Sequence, residues 1–222
     1  MRLGGFETRL LSGDVAALEA FYRSLGFAPY GAPGEVRLAR GDCRLALAPA
    51  GAGAAGRTAL AFAPGDGAAG QVDPDGTALV EAARTDGEDS EGAAAPYDPV
   101  LGWYELSLDV ADIARTAAFY GRLGFEAAGG DIAQRHLTLQ RGHGRICLYQ
   151  GYLDPAGTQL IFWQGDVAAV AALAEREGLK VRRGLLGDDE GQLSLMLEDP
   201  DGRGVFFIFI PGVERLEPAR HD

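Results

Sequence analysis

Glu105, His136 and Cys147 put a carboxylate, an imidazole and a thiol on three short segments in the second half of the chain. The segments are WYELSLDV at 103–110, RHLTLQR at 135–141 and GRICLYQ at 144–150. A carboxylate in an apolar surround is hard to ionise, which fits it to give and take a proton near neutral pH. Its plain alternative is a solvated edge residue, or an ion-pair partner of Arg145. A thiol becomes a nucleophile beside a base, and no base is evident next to Cys147, which reads more simply as a small buried hydrophobe. His136 reads as a contact to a ligand or, more plainly, as a hydrogen-bonded strand residue.

All three segments alternate. In 103–110, Leu106, Leu108 and Val110 fall on one face and Glu105, Ser107 and Asp109 on the other, as in a half-buried strand. Taking the apolar face as the one that packs under helices, alternation sorts the remaining side chains onto a common concave face. That face is expected to carry Trp103, Glu105, Ser107, His136, Thr138, Gln140, Arg145, Cys147, Tyr149, Gln159, Ile161, Trp163, Ser194, Met196, Phe206 and Ile208. Both tryptophans of the chain are among them. Aromatic and apolar walls with a few polar groups describe a small-molecule pocket. The alternative for Trp103 and Trp163 is closure of the core between units.

The elements that must position these residues are repeated. DVAALEAFYRSLGF starts at Asp14 and DIARTAAFYGRLGF at Asp112, an offset of 112 − 14 = 98 residues. A fainter copy, DVAAVAALAEREG, starts at Asp166. Such density marks one supersecondary unit used several times. Each copy opens on an Asp suited to cap a helix, and the first two close on a glycine suited to end it. Around Asp112 the order is strand (103–110), helix, then strands near 126–130, 135–141 and 144–150. Around Asp166 the order recurs: strand 158–165, helix, and strands 180–184, 192–198 and 204–210. Asp199-Pro200-Asp201-Gly202 makes the last turn, proline presetting one dihedral and Asp-Gly supplying the bend.

The first half holds one good unit: a strand at 6–12, a helix at 14–25, and strands near 35–40 and 43–49. Beyond it the pattern decays. TALAFAP at 58–64 reads as a strand with no helix after it, and TALVEAAR, behind Asp73-Pro74-Asp75-Gly76, reads as a final strand or a short helix. The acidic stretch 84–98 reads as linker. The expected organisation is an eroded half over 1–86, a linker over 87–102, a complete domain of two units over 103–211, and a tail over 212–222. The fold class is α+β, with repeated βαβββ modules whose curled mixed sheets surround an open cup.

Composition sets outer bounds. The 222 residues carry a formal net charge of −12, which argues against nucleic acid as partner. No apolar run approaches the ~20 residues that span a bilayer, and the N-terminus lacks a signal-peptide pattern. With only Cys43 and Cys147, both in expected strands, no disulfide framework is expected. A soluble cytoplasmic protein is predicted. Lys180 is the only lysine beside nineteen arginines, a bias that suggests a GC-rich coding genome.

The AFY-x-x-LGF helix end with the later DPDG turn resembles the vicinal oxygen chelate superfamily, which contains glyoxalase I, extradiol dioxygenases, fosfomycin-resistance enzymes and bleomycin-binding proteins. The resemblance is strong over 103–211, good over 6–50 and weak over 57–86. It implies paired units enclosing a cup and, in metal-dependent members, ligands on the first and last strands of each unit. Those positions fall here on Glu105, Cys147, Gln159 and Phe206, in place of the usual histidines and glutamates. In the first half they fall on Glu7, Ala46, about Ala59, and one residue short of Glu81. Neither set suits a divalent ion with open positions. Zinc at Glu105, Cys147 and His136 would require a convergence that strand spacing gives no reason to expect. His143 is assigned to a turn and His221 to the tail.

The resulting expectation is a protein without metal or cofactor that binds a bulky aromatic or hydrophobic small molecule. The resemblance points to self-resistance or support of a tailoring step in natural-product biosynthesis. The enzymatic alternative uses Glu105 as general acid–base, with Gln159, His136 or Tyr149 holding a substrate oxygen. A divalent-metal lyase or dioxygenase, a purely structural module, and a homodimer stay open.

Overall fold

The computed structural model describes residues 6–31, 34–54, 56–82, 98–142, 144–151, 153–154 and 157–213. His143, His221, most of the expected linker and most of the expected tail lie outside them. The first unit is β1 (Glu7–Ser12), α1 (Val15–Ser24), β2 (Ala28–Pro29), β3 (Val36–Arg40) and β4 (Cys43–Pro49). β5 (Thr58–Phe62) and β6 (Ala78–Glu81) follow. The next unit is β7 (Gly102–Asp109), α2 (Ile113–Arg122), β8 (Glu126–Asp131), β9 (His136–Arg141) and β10 (Gly144–Tyr149). The last is β11 (Thr158–Gln164), α3 (Val167–Glu177), β12 (Val181–Gly187), β13 (Leu193–Glu198) and β14 (Gly204–Phe209).

The three repeated aspartates do the same local job. Asp14, Asp112 and Asp166 each accept a hydrogen bond from the backbone N–H three residues on, at Ala17, Arg115 and Ala169. Gly26 and Gly124, at matching places after the helices, both sit at φ 82°, a conformation that favours glycine. After each helix the chain returns so that the first and last strands of a unit run parallel: β1 with β4, β7 with β10, and β11 with β14. β5 and β6 also pair in parallel. The eroded unit has therefore kept its first and last strands and lost the helix between them. TALVEAAR, open between strand and helix on sequence, contributes a strand.

Strands β1–β6 form a six-stranded sheet in the order β2-β3-β4-β1-β5-β6. Strands β7–β14 form an eight-stranded sheet in the order β12-β13-β14-β11-β7-β10-β9-β8. In the larger sheet the two complete units meet at the antiparallel β7–β11 pair. One apolar core runs between the sheets and their helices. Phe27 of the first half packs edge-on to Phe162 of the second, Phe6 lies 6.1 Å from Phe125, and the Thr8 and Tyr104 hydroxyls bond at 2.8 Å. The described end of the segment read as linker is packed: Asp98 pairs with Arg40 at 2.6 Å and Leu101 is buried. No helix among the described residues is long and apolar enough to cross a membrane.

Candidate functional site

The eight-stranded sheet curls around a cavity of about 510 Å³ on the face away from its helices. Register explains what lines it. Trp103 on β7 stands opposite Trp163 on β11, and their rings stack at 5.5 Å with planes 14° apart. β10 flanks β7 on its other side, and the Arg145 guanidinium lies 4.9 Å over the Trp103 ring. Arg145, Trp103 and Trp163 thus form a row across three adjacent strands. Gly102 makes the close approach feasible. It sits at φ 87°, and a Cβ there would lie 1.8 Å from the Trp163 carbonyl oxygen.

Glu105 is one step deeper on β7 and is only 2 % exposed. Its Oε2 accepts a hydrogen bond from Thr138 Oγ1 at 3.1 Å, and Thr138 Oγ1 also lies 3.4 Å from Cys147 Sγ. Oε1 of Glu105 and the indole nitrogens of Trp103 and Trp163 are buried without hydrogen-bond partners. Burial pushes the carboxyl up to about 7, against partial opposition from the Thr138 hydroxyl, the Arg145 charge, and the nearby Trp163 and Cys147. The same burial, reinforced by the Glu105 charge, pushes the Cys147 thiol up to about 12. That leaves Cys147 a poor nucleophile and a poor thiolate donor. Farther along the wall, His136 and Tyr149 face each other across β9 and β10 with their rings 6.2 Å apart.

Of the expected site residues, Trp103, Glu105, His136, Thr138, Cys147, Tyr149, Gln159, Trp163, Met196 and Phe206 line this cavity. Ser107 and Arg145 do not, and neither do Gln140 and Ser194 of the same expected face. Ser107 is fully buried with its Oγ unpartnered, and Arg145 is drawn over Trp103, where its Nε donates to Gln140 at 3.4 Å. Alternation assigned both to the correct face of the sheet. It could not show that neighbours would bury one and an indole ring would capture the other.

The wall also includes Gly129, Gly130, Leu153, Asp154, Arg183 and Val213, none of which strand alternation singles out. They lie in an edge strand, a loop, the exposed strand β12 and the segment after β14. Only the Gly129-Gly130 doublet was a clue: a Cβ on Gly130 would meet His136 at 2.9 Å. Val213 belongs to the stretch expected to be tail. It is held there by Gln164, whose Nε2 donates to the carbonyls of Ile210 and Val213, both at 2.7 Å.

Glu7, the counterpart of Glu105, is engaged by Arg37 at 3.2 Å and by the Tyr30 hydroxyl, while Arg9 and Arg37 both pair with Glu35. Glu81 accepts from the backbone of Gly65 at 3.1 Å and so pins a loop.

Glu105, Cys147, Gln159 and Phe206, the positions where metal-dependent members of the superfamily would carry ligands, do converge on the one cavity. Their chemistry does not fit an ion. Phe206 offers no donor, the Cys147 thiol is held protonated, and one carboxyl and one amide remain. Among the described residues no three His, Cys, Asp or Glu side chains are grouped to hold a metal.

Comparison with known proteins bears on the fold. No protein-family model matches the chain, and no curated protein matches it. Solved structures do. The 2,3-dioxygenase LapB from Pseudomonas sp. KL28 superposes with a TM-score of 0.55 at 15 % identity, covering 96 % of this chain and 95 % of that one. A catechol 2,3-dioxygenase gives 0.56 at 14 %, covering 99 % and 90 %. An extradiol ring-cleaving dioxygenase from B. fuscum gives 0.56 at 14 %, covering 99 % and 74 %. The chain has the vicinal oxygen chelate fold. At these identities the likeness is one of fold alone, and the dioxygenase chemistry belongs to those proteins.

Proposed function

We propose that this protein binds a bulky, partly aromatic small molecule in the cavity of its second half, and that it does so without a metal ion. The observation that carries this reading is the cavity's make-up: about 510 Å³, walled by Trp163, Trp103, Tyr149, Phe206, Met196 and Ile208, with few polar groups. That volume lies in the range of drug-sized ligand sites, and indole and phenol rings offer flat faces for a planar guest. Sequestration of a toxic compound, or support of a tailoring step in biosynthesis, would each use such a binder. The test is titration of a panel of aromatic natural products against tryptophan fluorescence, in the parent and in Trp163→Phe. Saturable quenching that weakens in the variant supports the reading. A flat response across the panel opposes it.

A second reading has one observation in its favour, a Glu105 carboxyl raised to about 7 beside an open cavity. Such a group suits proton transfer next to a substrate carbonyl, as in isomerisation, elimination or cyclisation. Gln159, His136 or Tyr149 would hold the oxygen. Glu105→Gln tests it: an enzyme that uses Glu105 as its acid–base loses turnover, whereas turnover unaffected by the change means that Glu105 is not the base.

A further inference from the structure

The cavity wall also carries polar side chains. Glu105 is the carboxyl at its floor, and Oε1 is buried without a hydrogen-bond partner while Oε2 is held by Thr138. Leaving a buried carboxylate oxygen unmet is costly, so the site favours a guest that brings a donor to it. The neighbouring cation, Arg145, lies over Trp103 and does not line the cavity. Because Arg145, Trp103 and Trp163 sit on successive strands, Trp103 has ring or guanidinium partners on both sides. Trp163 is the outer, half-buried member of the row. A tryptophan ring beside a carboxylate is a setting that attracts a cation, through the ring's negative face and direct charge pairing. The net charge of −12 adds a long-range pull of the same sign.

We propose that the cavity selects a ligand in which a protonated nitrogen, ammonium or amidinium, is attached to a planar apolar body. The nitrogen meets Glu105 and the tryptophan row, and the body fills the apolar wall. The inference rests on the aromatic-binder reading and adds the charge class of the ligand.

A bound cation favours the ionised form of Glu105. Where the free carboxyl is still protonated, binding therefore releases a proton, and affinity rises as pH is brought up through about 7. The charged and titratable groups facing Glu105 are Arg145, Cys147 and Tyr149 from β10, and His136 from β9. Asp154 and Arg183 pair at 3.3 Å on the cavity wall. β11 contributes Gln159, Ile161 and Trp163, none of which titrates. Tyr104 lies on the opposite face of β7.

The test uses three probes of one shape on the full chain, followed by calorimetry: naphthylmethylamine as cation, naphthylmethanol as neutral isostere and naphthoate as anion. The amine is expected to bind about tenfold tighter than the alcohol at about pH 8, and naphthoate more weakly than either. Near pH 6 the amine's advantage shrinks and its binding releases a proton, seen as a heat that depends on the buffer's ionisation enthalpy. Glu105→Gln should remove most of the amine's advantage and leave the alcohol within about twofold. The proton-release measurement needs no variant, so it stands if the substitution fails to fold. Alcohol or naphthoate binding as tightly as the amine overturns the charge preference and leaves the aromatic-binder reading intact. Binding by none of the three overturns both.

Discussion

The Tyr120 hydroxyl, on the helix of one half, donates to the Asp73 carboxylate of the other at 2.9 Å. Its repeat counterpart does the same in reverse: Tyr22 donates to Asp199 at 3.4 Å. The two tyrosines are 120 − 22 = 98 residues apart, the repeat offset, and the two aspartates open the two Asp-Pro-Asp-Gly turns. The third residue of each turn joins the exchange. Asp201 accepts from the Gly13 backbone at 3.0 Å, and Asp75 from the Ala111 backbone at 2.8 Å. The halves are therefore bolted reciprocally, by the same motif pair used twice.

Tyr120→Phe removes the donor and leaves Asp73 Oδ2 without it, although the Asp75 and Thr77 backbone N–H groups still hold Oδ1. Chemical denaturation should show a loss of about 2 kcal/mol, the usual cost of a buried hydrogen bond to a charged group. Tyr22→Phe should cost less, because its bond is longer and Asp199 keeps Arg203 at 2.7 Å.

Most of the frame behind these contacts was legible in the sequence. The repeat, the helix-opening aspartates and strict alternation on β7, β9, β10, β11 and β14 located the cavity-facing residues. These are signals of local periodicity, and they hold wherever a strand has one helix-covered face. The signals fail where contacts come from outside that pattern. Asp154, Arg183 and Val213 reach the cavity from a loop, an exposed edge and the segment clamped by Gln164. The reciprocal Tyr–Asp bolts join residues 47 and 177 positions apart, a pairing that no local pattern encodes. The first sheet shows the same limit: Glu7 repeats Glu105 in sequence, but Arg37 and Tyr30 close around it.

Glu105 should leave a mark on stability as pH changes. Its folded value, about 7, lies above the 4.5 of an unperturbed carboxyl. Below 4.5 both states are protonated and the group costs nothing. Between 4.5 and 7 the unfolded chain ionises first, so stability falls as pH rises, and above 7 the full penalty is in place. Its size is on the order of 3 kcal/mol. Glu105→Gln lacks this penalty, so the difference between variant and parent, which cancels other carboxylates, should favour the variant increasingly from about pH 5 to about pH 8. A constant difference across that range would show that burial does not perturb this carboxyl.

Gly102→Ala tests how the tryptophan row is positioned. The new Cβ would fall 1.8 Å from the Trp163 carbonyl oxygen and force a left-handed backbone on alanine. A loss of at least about 3 kcal/mol is expected, with the near-ultraviolet circular dichroism of the tryptophan pair diminished. A variant with native dichroism and stability would mean that β7 and β11 do not approach as closely as described.

The thiols should be silent in the native protein. Cys43 and Cys147 are both buried, and burial raises both, Cys147 to about 12. Iodoacetamide at about pH 8 should label neither within the time that it labels both in denaturant, since the thiolate is the reacting form. Rapid native labelling of Cys147 would point to an activating base and revive it as a nucleophile.

Metal should be dispensable. Among superfamily members that use one, a divalent ion polarises substrate oxygens, and its ligands would come from the positions held here by Glu105, Cys147, Gln159 and Phe206. Phe206 presents a benzyl group at the cavity wall, and the Cys147 proton would have to be displaced against a value near 12. Glu105 and Gln159 alone leave an ion mostly hydrated and weakly held. Protein purified without chelator should therefore contain well under one equivalent of any transition metal, by elemental analysis. Dialysis against a chelator should leave the melting temperature and the fluorescence titration unchanged. A stoichiometric ion whose removal lowers either would overturn the metal-free reading and bring lyase or dioxygenase chemistry to the front.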